Sequence, residues 1–240
     1  MFNSVPHGYS HFSNKILNWF EWDDEERFNK NLIDNKTEIK EWVDNKFTYS
    51  FNSYGFRSNK FNLDPSVMFL GCSHTMGLGL PFEHTFSSII SKELNLKNFN
   101  LANCGGSNDL AFRMAYNWIP QLKPKIVFLF SPEAARLELL TIDNEVHLFG
   151  PWKAWQSMSN DSYWSKFISN NINFQTNKIK NQLAIKYICN ELNIKLHIFD
   201  TIDITTNQSS PFYRIDLARD LIHPGIKTNK NIATHMLSML

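Results

Sequence analysis

Residues 67–77 read Val67-Met68-Phe69-Leu70-Gly71-Cys72-Ser73-His74-Thr75-Met76-Gly77, an apolar run set directly against a turn of small residues. Val67 to Leu70 is short, unbroken and apolar, the pattern of a strand buried on both faces of a parallel sheet, and Gly71 marks where it turns. A side chain just beyond such a strand stands at the carboxyl edge of the sheet, where open α/β sheets hold their ligands. Ser73 is therefore the first candidate for chemistry. Its plainer alternative is a turn or helix cap.

The chain around that strand alternates between two periods. Gly77, Gly79 and Pro81 keep it irregular until Phe86, Ile89, Ile90 and Leu94 mark a helix. Phe99 to Ala102 predicts a second strand, and Leu110, Ala111, Met114, Ala115 and Trp118 then recur at helical spacing. Ile126 to Phe130 predicts a third strand. Ile179, Leu183, Tyr187 and Leu192 predict a helix before a fourth strand, Leu196 to Phe199, and Ile232, Met236 and Leu240 a last helix. Alternating strands and helices predict a three-layer α/β/α sandwich with a mainly parallel sheet. At 240 residues the chain suits one such domain plus an extra segment.

That domain is expected over residues 48–240, opening on the strand-like alternation of Phe47 to Phe51. Residues 1–47 are expected to form a helical N-terminal extension, with one amphipathic helix from Ser13 to about Phe28 and a shorter one around Ile39, Trp42 and Val43. Its tryptophans read as packing residues rather than a ligand site. Residues 141–175 fit neither strand nor clean amphipathic helix and crowd together Trp152, Trp155, Tyr163, Trp164 and Phe167. Such an insertion shapes a pocket wall or lid, or else holds a long loop down as a satellite cluster.

A formal net charge of +1 and the lack of any Lys/Arg run argue against nucleic acid as a partner. No apolar run approaches the roughly 20 residues of a membrane helix, and no basic start leads into an apolar leader, so a cytoplasmic location is expected. Cys72, Cys104 and Cys189 are scattered and odd in number, which favours free thiols. Cys72, Cys104, His74 and His223 match no usual zinc spacing, so neither metal nor cofactor is expected.

Near the end of the chain, Asp220-Leu221-Ile222-His223-Pro224-Gly225 sets a carboxylate and an imidazole three residues apart, a spacing that would place both on one side of a helical turn. A serine hydroxyl becomes nucleophilic when a base takes its proton and a carboxylate fixes that base's tautomer. Gly71-Cys72-Ser73 followed by Asp220-x-x-His223 resembles the SGNH, or GDSL-like, hydrolases, a family of α/β esterases and acetyl-hydrolases. Asn52-Ser53-Tyr54-Gly55-Phe56-Arg57 is similar to a turn that precedes the nucleophile strand in a phage and bacterial subset of them. The resemblance spans roughly Tyr49 to Glu138 and Asp220 to Leu240.

It implies a flavodoxin-like SGNH fold and a triad of Ser73, His223 and Asp220. It implies an oxyanion hole from the Ser73 N–H and a glycine after the second strand, Gly106 in first place with Gly105 beside it. It also implies a docking or pocket-edge role for Arg57, for which a surface ion pair is the alternative. The family's third donor is an asparagine in a Gly-x-Asn-Asp motif, and this chain reads Phe130-Ser131-Pro132-Glu133-Ala134-Ala135-Arg136 there. Ser131, Arg136 or Asn108 are the substitutes, Asn108 the preferred one, with a helix cap at Ser107 or Asn108 as its other reading. Arg136, Trp152 and Trp155 are candidates for substrate binding. The expected substrate is a small-molecule or glycan ester, an acetyl ester among the options. A non-catalytic module on the same fold and an acyltransferase are the alternatives. Cys72 stands where the family's Gly-Asp-Ser turn has its aspartate and is a second, lesser candidate for the nucleophile. The oligomeric state stays open.

Overall fold

In a computed structural model, which describes residues 2–34, 36–143, 145–150, 171–201 and 212–240, the apolar run becomes strand β3 (Ser66–Leu70) with every residue buried. It lies between β4 (Lys97–Asn100) and β5 (Ile126–Ser131), parallel to both, and β8 (Lys195–Asp200) extends the sheet beyond β5 in the order β4-β3-β5-β8. The chain leaves β3 toward one edge and returns on its other side, so the switch in strand order falls between β3 and β5. The carboxyl ends of β3 and β5 flank the crevice where such sheets bind ligands.

Side-chain alternation along β3 and β5 divides the core in two. Val67, Phe69, Phe128 and Phe130 face α3 (Phe86–Glu93) and α6 (Ile226–Ser238). Met68, Leu70, Val127 and Leu129 face α4 (Asn108–Leu122) and α5 (Asn171–Glu191), where Trp118 is fully buried. These are the three layers expected from the alternating periods, an α/β/α sandwich with a parallel central sheet. Strand β4 begins two residues earlier than Phe99. Its buried Asn98 and Asn100 are tolerated because their amides donate to Ser87 Oγ (3.2 Å) and the Thr75 carbonyl (2.6 Å).

The N-terminal segment departs from its expected helices. Asn14 and Glu21 adopt left-handed backbone (φ 58° and 55°), and β1 (Ile16–Leu17) pairs antiparallel with β2 (Tyr49–Ser50). Helix α1 runs instead from Glu25 to Ile33, with Asp24 accepting from the Arg27 N–H as its cap. Of the apolar residues of 16–22 only Phe20 is buried, joining Tyr9, Tyr49, Phe51, Met76 and Leu78 in one cluster, while Ile16 and Trp22 stay exposed. Residues 37–42 form a 3-10 helix that buries Ile39 and Trp42.

The insertion also holds regular structure at both ends. β6 (Leu137–Leu140) and β7 (Val146–Phe149) make an antiparallel hairpin, and α5 already begins at Asn171. Glu138 anchors the hairpin through a partly buried ion pair with Arg113 of α4. Trp152, Trp155, Tyr163, Trp164 and Phe167 lie outside the described residues. Among the described residues no helix is long and apolar enough to cross a membrane.

Candidate active site

Beyond β3 the chain turns through Gly71 and Cys72 into one helical turn, α2 (Ser73–Met76), which places the Ser73 side chain at the carboxyl edge of the sheet. Asp220 and His223 come from the opposite end of the sequence, in a turn rather than the helical geometry their spacing suggested. Leu221 takes left-handed backbone (φ 54°), and Asp220 Oδ1 accepts from the N–H groups of Ile222 and His223, both at 3.0 Å. That turn leaves the other carboxylate oxygen 2.5 Å from His223 Nδ1, while His223 Nε2 lies 2.8 Å from Ser73 Oγ. Ser73, His223 and Asp220 thus form one hydrogen-bonded chain. Burial by itself would raise the Asp220 carboxyl, but its bonds to the His223 ring and to the two backbone N–H groups hold it below its ordinary value. Asp220 therefore stays a carboxylate acceptor across neutral and mildly acid pH.

His74 stands edge-on to His223, their ring centroids 5.3 Å apart. Burial and the neighbouring imidazole push His74 well below its ordinary value, so it remains neutral.

A cavity of about 600 Å³ opens over this chain of groups. Ser73, His74, Gly105 and His223 line it, together with Arg136 and the β7 residues Val146 to Leu148. Gly8, Tyr9, Glu21 and Trp22 line it as well, so the N-terminal segment read from sequence as mere packing contributes directly to the pocket. No signal in the sequence placed these residues there, because only tertiary folding brings residues 8–22 to the carboxyl edge of β3.

The oxyanion candidates separate on where their hydrogens go. The Gly106 N–H donates to the Asn103 carbonyl at 3.0 Å and is already used. Gly106 is glycine for a packing reason: a Cβ there would meet the Gly71 carbonyl oxygen at 2.7 Å and the Asn103 oxygen at 2.9 Å. The Ser73 and Gly105 N–H groups donate to nothing among the described residues, and both residues line the cavity. Asn108 is likewise committed. Its amide donates to the Pro132 carbonyl (3.0 Å) and its oxygen accepts from Ser131 (2.7 Å), tying the start of α4 to the end of β5. The cap of α4 is Ser107, whose hydroxyl accepts from the Leu110 N–H. Ser131 is held by Asn108 and Gln182; of the three proposed substitutes Arg136, which pairs with Glu133 at 3.6 Å, is the one that lines the cavity. Cys72 is fully buried and does not line it.

Arg57 is neither at the pocket edge nor in a surface ion pair. Asn52 Oδ1 accepts from the Tyr54 and Phe56 N–H groups, and the turn so formed throws Arg57 inward, 2% exposed. Its guanidinium donates to the carbonyls of Gly77 (2.6 Å), Leu80 (2.5 Å) and Met76 (3.4 Å) and lies over the Tyr49 ring. Burial lowers it to about 10, so it stays charged at neutral pH. Arg57 is a clamp on the loop that follows Ser73. Arg57→Met strands buried carbonyl oxygens and should cost at least about 2 kcal/mol of stability, measured as a lowered urea midpoint.

No family model matches the chain, and no curated protein matches it. Solved structures do. TesA matches at 12% identity over 73% of this chain and 97% of its own, with a TM-score of 0.38. The psychrotrophic esterase EstA from Pseudoalteromonas sp. matches at 14% identity over 73% and 96%, with a TM-score of 0.36. An acetyl xylan esterase, AlAXEase, matches at 16% identity over 73% and 99%, with a TM-score of 0.35. Likeness of that degree says nothing about what this chain does.

Proposed function

We propose that the protein is a serine hydrolase of ester bonds, of the SGNH or GDSL-like type, with Ser73 as nucleophile. The observation that carries this reading is the unbroken chain Ser73 Oγ, His223 Nε2, His223 Nδ1, Asp220 Oδ2, with contacts of 2.8 and 2.5 Å. A serine that only capped a turn would have no reason to face a carboxylate-backed imidazole drawn from 150 residues away.

In this mechanism Ser73 Oγ attacks the ester carbonyl carbon as His223 Nε2 takes its proton. The imidazolium donates through Nδ1 to Asp220, which fixes the tautomer and stays ionised. The Ser73 and Gly105 N–H groups bond the oxygen that becomes negative, and Arg136 is our candidate for the third donor in place of the family's asparagine. His223 then returns the proton to the leaving alcohol, leaving an acyl ester on Ser73. Water, activated by His223 in the same way, releases the acid and restores the serine. The cavity suits a small-molecule or glycan ester, with Trp22 supplying an aromatic surface to its lining.

A fluorophosphonate tests the reading, since only a base-activated serine displaces its fluoride and keeps the tetrahedral adduct. Intact mass should show one adduct and peptide mapping should place it on Ser73, with none formed in His223→Ala. An adduct on Cys72 would move the nucleophile, and a folded protein that stays unlabelled would remove the hydrolase reading.

A further inference from the structure

The turn that carries Asp220 and His223 belongs to no helix or strand, so something outside it must set its position. On its far side, Asp216 accepts from the Lys227 and Thr228 N–H groups at 2.8 and 2.9 Å, fastening the turn to the start of α6. On its near side the fastening is Arg219, next to Asp220 in sequence and 4% exposed. Its backbone N–H donates to the Gly79 carbonyl at 3.0 Å. Its guanidinium lies between the rings of Trp19 (4.0 Å) and Phe47 (3.9 Å) and donates to the Asn18 carbonyl (2.8 Å). It also makes a two-pronged contact with Asp23, at 2.7 and 3.0 Å to the two carboxylate oxygens.

Asp23, 1% exposed, holds a second group as well. Its Oδ2 accepts from the Tyr49 hydroxyl (2.5 Å), whose oxygen accepts in turn from the Gly79 N–H (2.8 Å). Gly79 closes the loop that leaves Ser73, and there the two loops touch: a Cβ on Gly79 would meet the Ala218 Cβ at 2.7 Å and Asp220 Oδ1 at 3.2 Å. One carboxylate from the N-terminal segment therefore grips both loops that must stay in register for His223 to reach Ser73.

We infer that Asp23 is a positioning residue for the reaction: through Arg219 and Tyr49 it locks the Asp220–His223 turn against the Ser73 loop. This rests on the hydrolase reading above. Asp23 touches no reacting atom. Its work is alignment, and misplacement of a catalytic group by about 1 Å can cost about 100-fold in rate. A buried carboxylate between a guanidinium and a phenol suits this task, because each partner is left uncompensated if the other moves.

The test uses the full chain, p-nitrophenyl acetate as probe substrate and fluorophosphonate titration to count competent sites. Asp23→Asn keeps the side chain's shape but removes its charge. It should lower kcat per titrated site by about 100-fold with KM within about twofold of the parent, because the pocket is intact while alignment is lost. Tyr49→Phe, which keeps the ring and removes only the hydroxyl that bridges Asp23 and Gly79, should lower kcat in the same direction by about tenfold, and it carries the test if Asp23→Asn does not fold. Asp24→Ala removes the cap of α1 one residue away and serves as control: it should lower the urea midpoint and leave kcat per site unchanged. The inference is overturned if kcat per site is unchanged in both Asp23→Asn and Tyr49→Phe, or if their loss lies in KM. An unlabelled parent protein would instead overturn the hydrolase reading, which is a separate result.

Discussion

Ser73→Ala and His223→Ala should each lower turnover of a simple ester by roughly 10⁵- to 10⁶-fold, and the double variant should be scarcely worse than either. The reason lies in how the two side chains depend on one another. Without the Ser73 hydroxyl, His223 has no proton to accept at 2.8 Å. Without His223, the hydroxyl keeps its proton and is a poor nucleophile. Each substitution thus removes the same step. What remains in either variant is the cavity and the Ser73 and Gly105 N–H groups, which still polarise a bound carbonyl and leave a small residual rate. Because Ser73 opens one helical turn whose end and following loop are clamped by Arg57, alanine at 73 should leave the fold undisturbed. Hydrolysis of p-nitrophenyl acetate by the three variants measures this, and losses that simply multiplied would show that the residues do not act as a unit.

The features legible in the sequence are those in which local pattern and tertiary role agree. Val67 to Leu70 has one way to be buried, so the strand, its central place and the serine at its carboxyl end all follow from the apolar run and Gly71. The Asp-x-x-His spacing was legible as a pair, although it closes through left-handed Leu221 rather than a helical turn. Where the pattern failed, long-range contacts overrode it. The apolar residues of 16–22 look amphipathic, yet only Phe20 among them is buried, in a cluster drawn from distant parts of the chain, and the acidic start of α1 at Asp24-Glu25-Glu26 was the better signal. Asn108 and Arg57 carry donors that sequence can count but cannot aim. The first is spent on Pro132 and the second on three carbonyls of the Ser73 loop. Gly105 and Gly106 are identical in sequence, and only the folded structure tells them apart, through the bond from Gly106 to Asn103 and the place of Gly105 in the cavity lining.

Asp220→Asn should lower turnover by about 10⁴-fold while leaving the fold in place. One carboxylate oxygen, Oδ1, holds the turn together by accepting from two backbone N–H groups, and the asparagine carbonyl can take over that task. The other oxygen accepts from His223 Nδ1, and the asparagine NH₂ that replaces it is a donor. A donor at that place favours the tautomer whose proton is on Nε2, the nitrogen that must be free to take the proton of Ser73. The serine then faces an N–H where it needs a base. Stability should respond differently and with a definite sign. In the folded chain Asp220 is held below its ordinary value of 3.8, so its stabilising contribution is complete above that value. It begins to fall as pH drops below 3.8 and is gone once the pH has passed below the folded value. Urea denaturation should accordingly find the parent more stable than Asp220→Asn near neutral pH, with the difference shrinking only below about 3.8. Asp220→Ala, which also removes the acceptor for the Ile222 and His223 N–H groups, should lose stability beyond Asp220→Asn at every pH. If Asp220→Asn kept the parent's turnover, another group would have to be orienting His223, and the two functions read here on the two oxygens of Asp220 would not be separate.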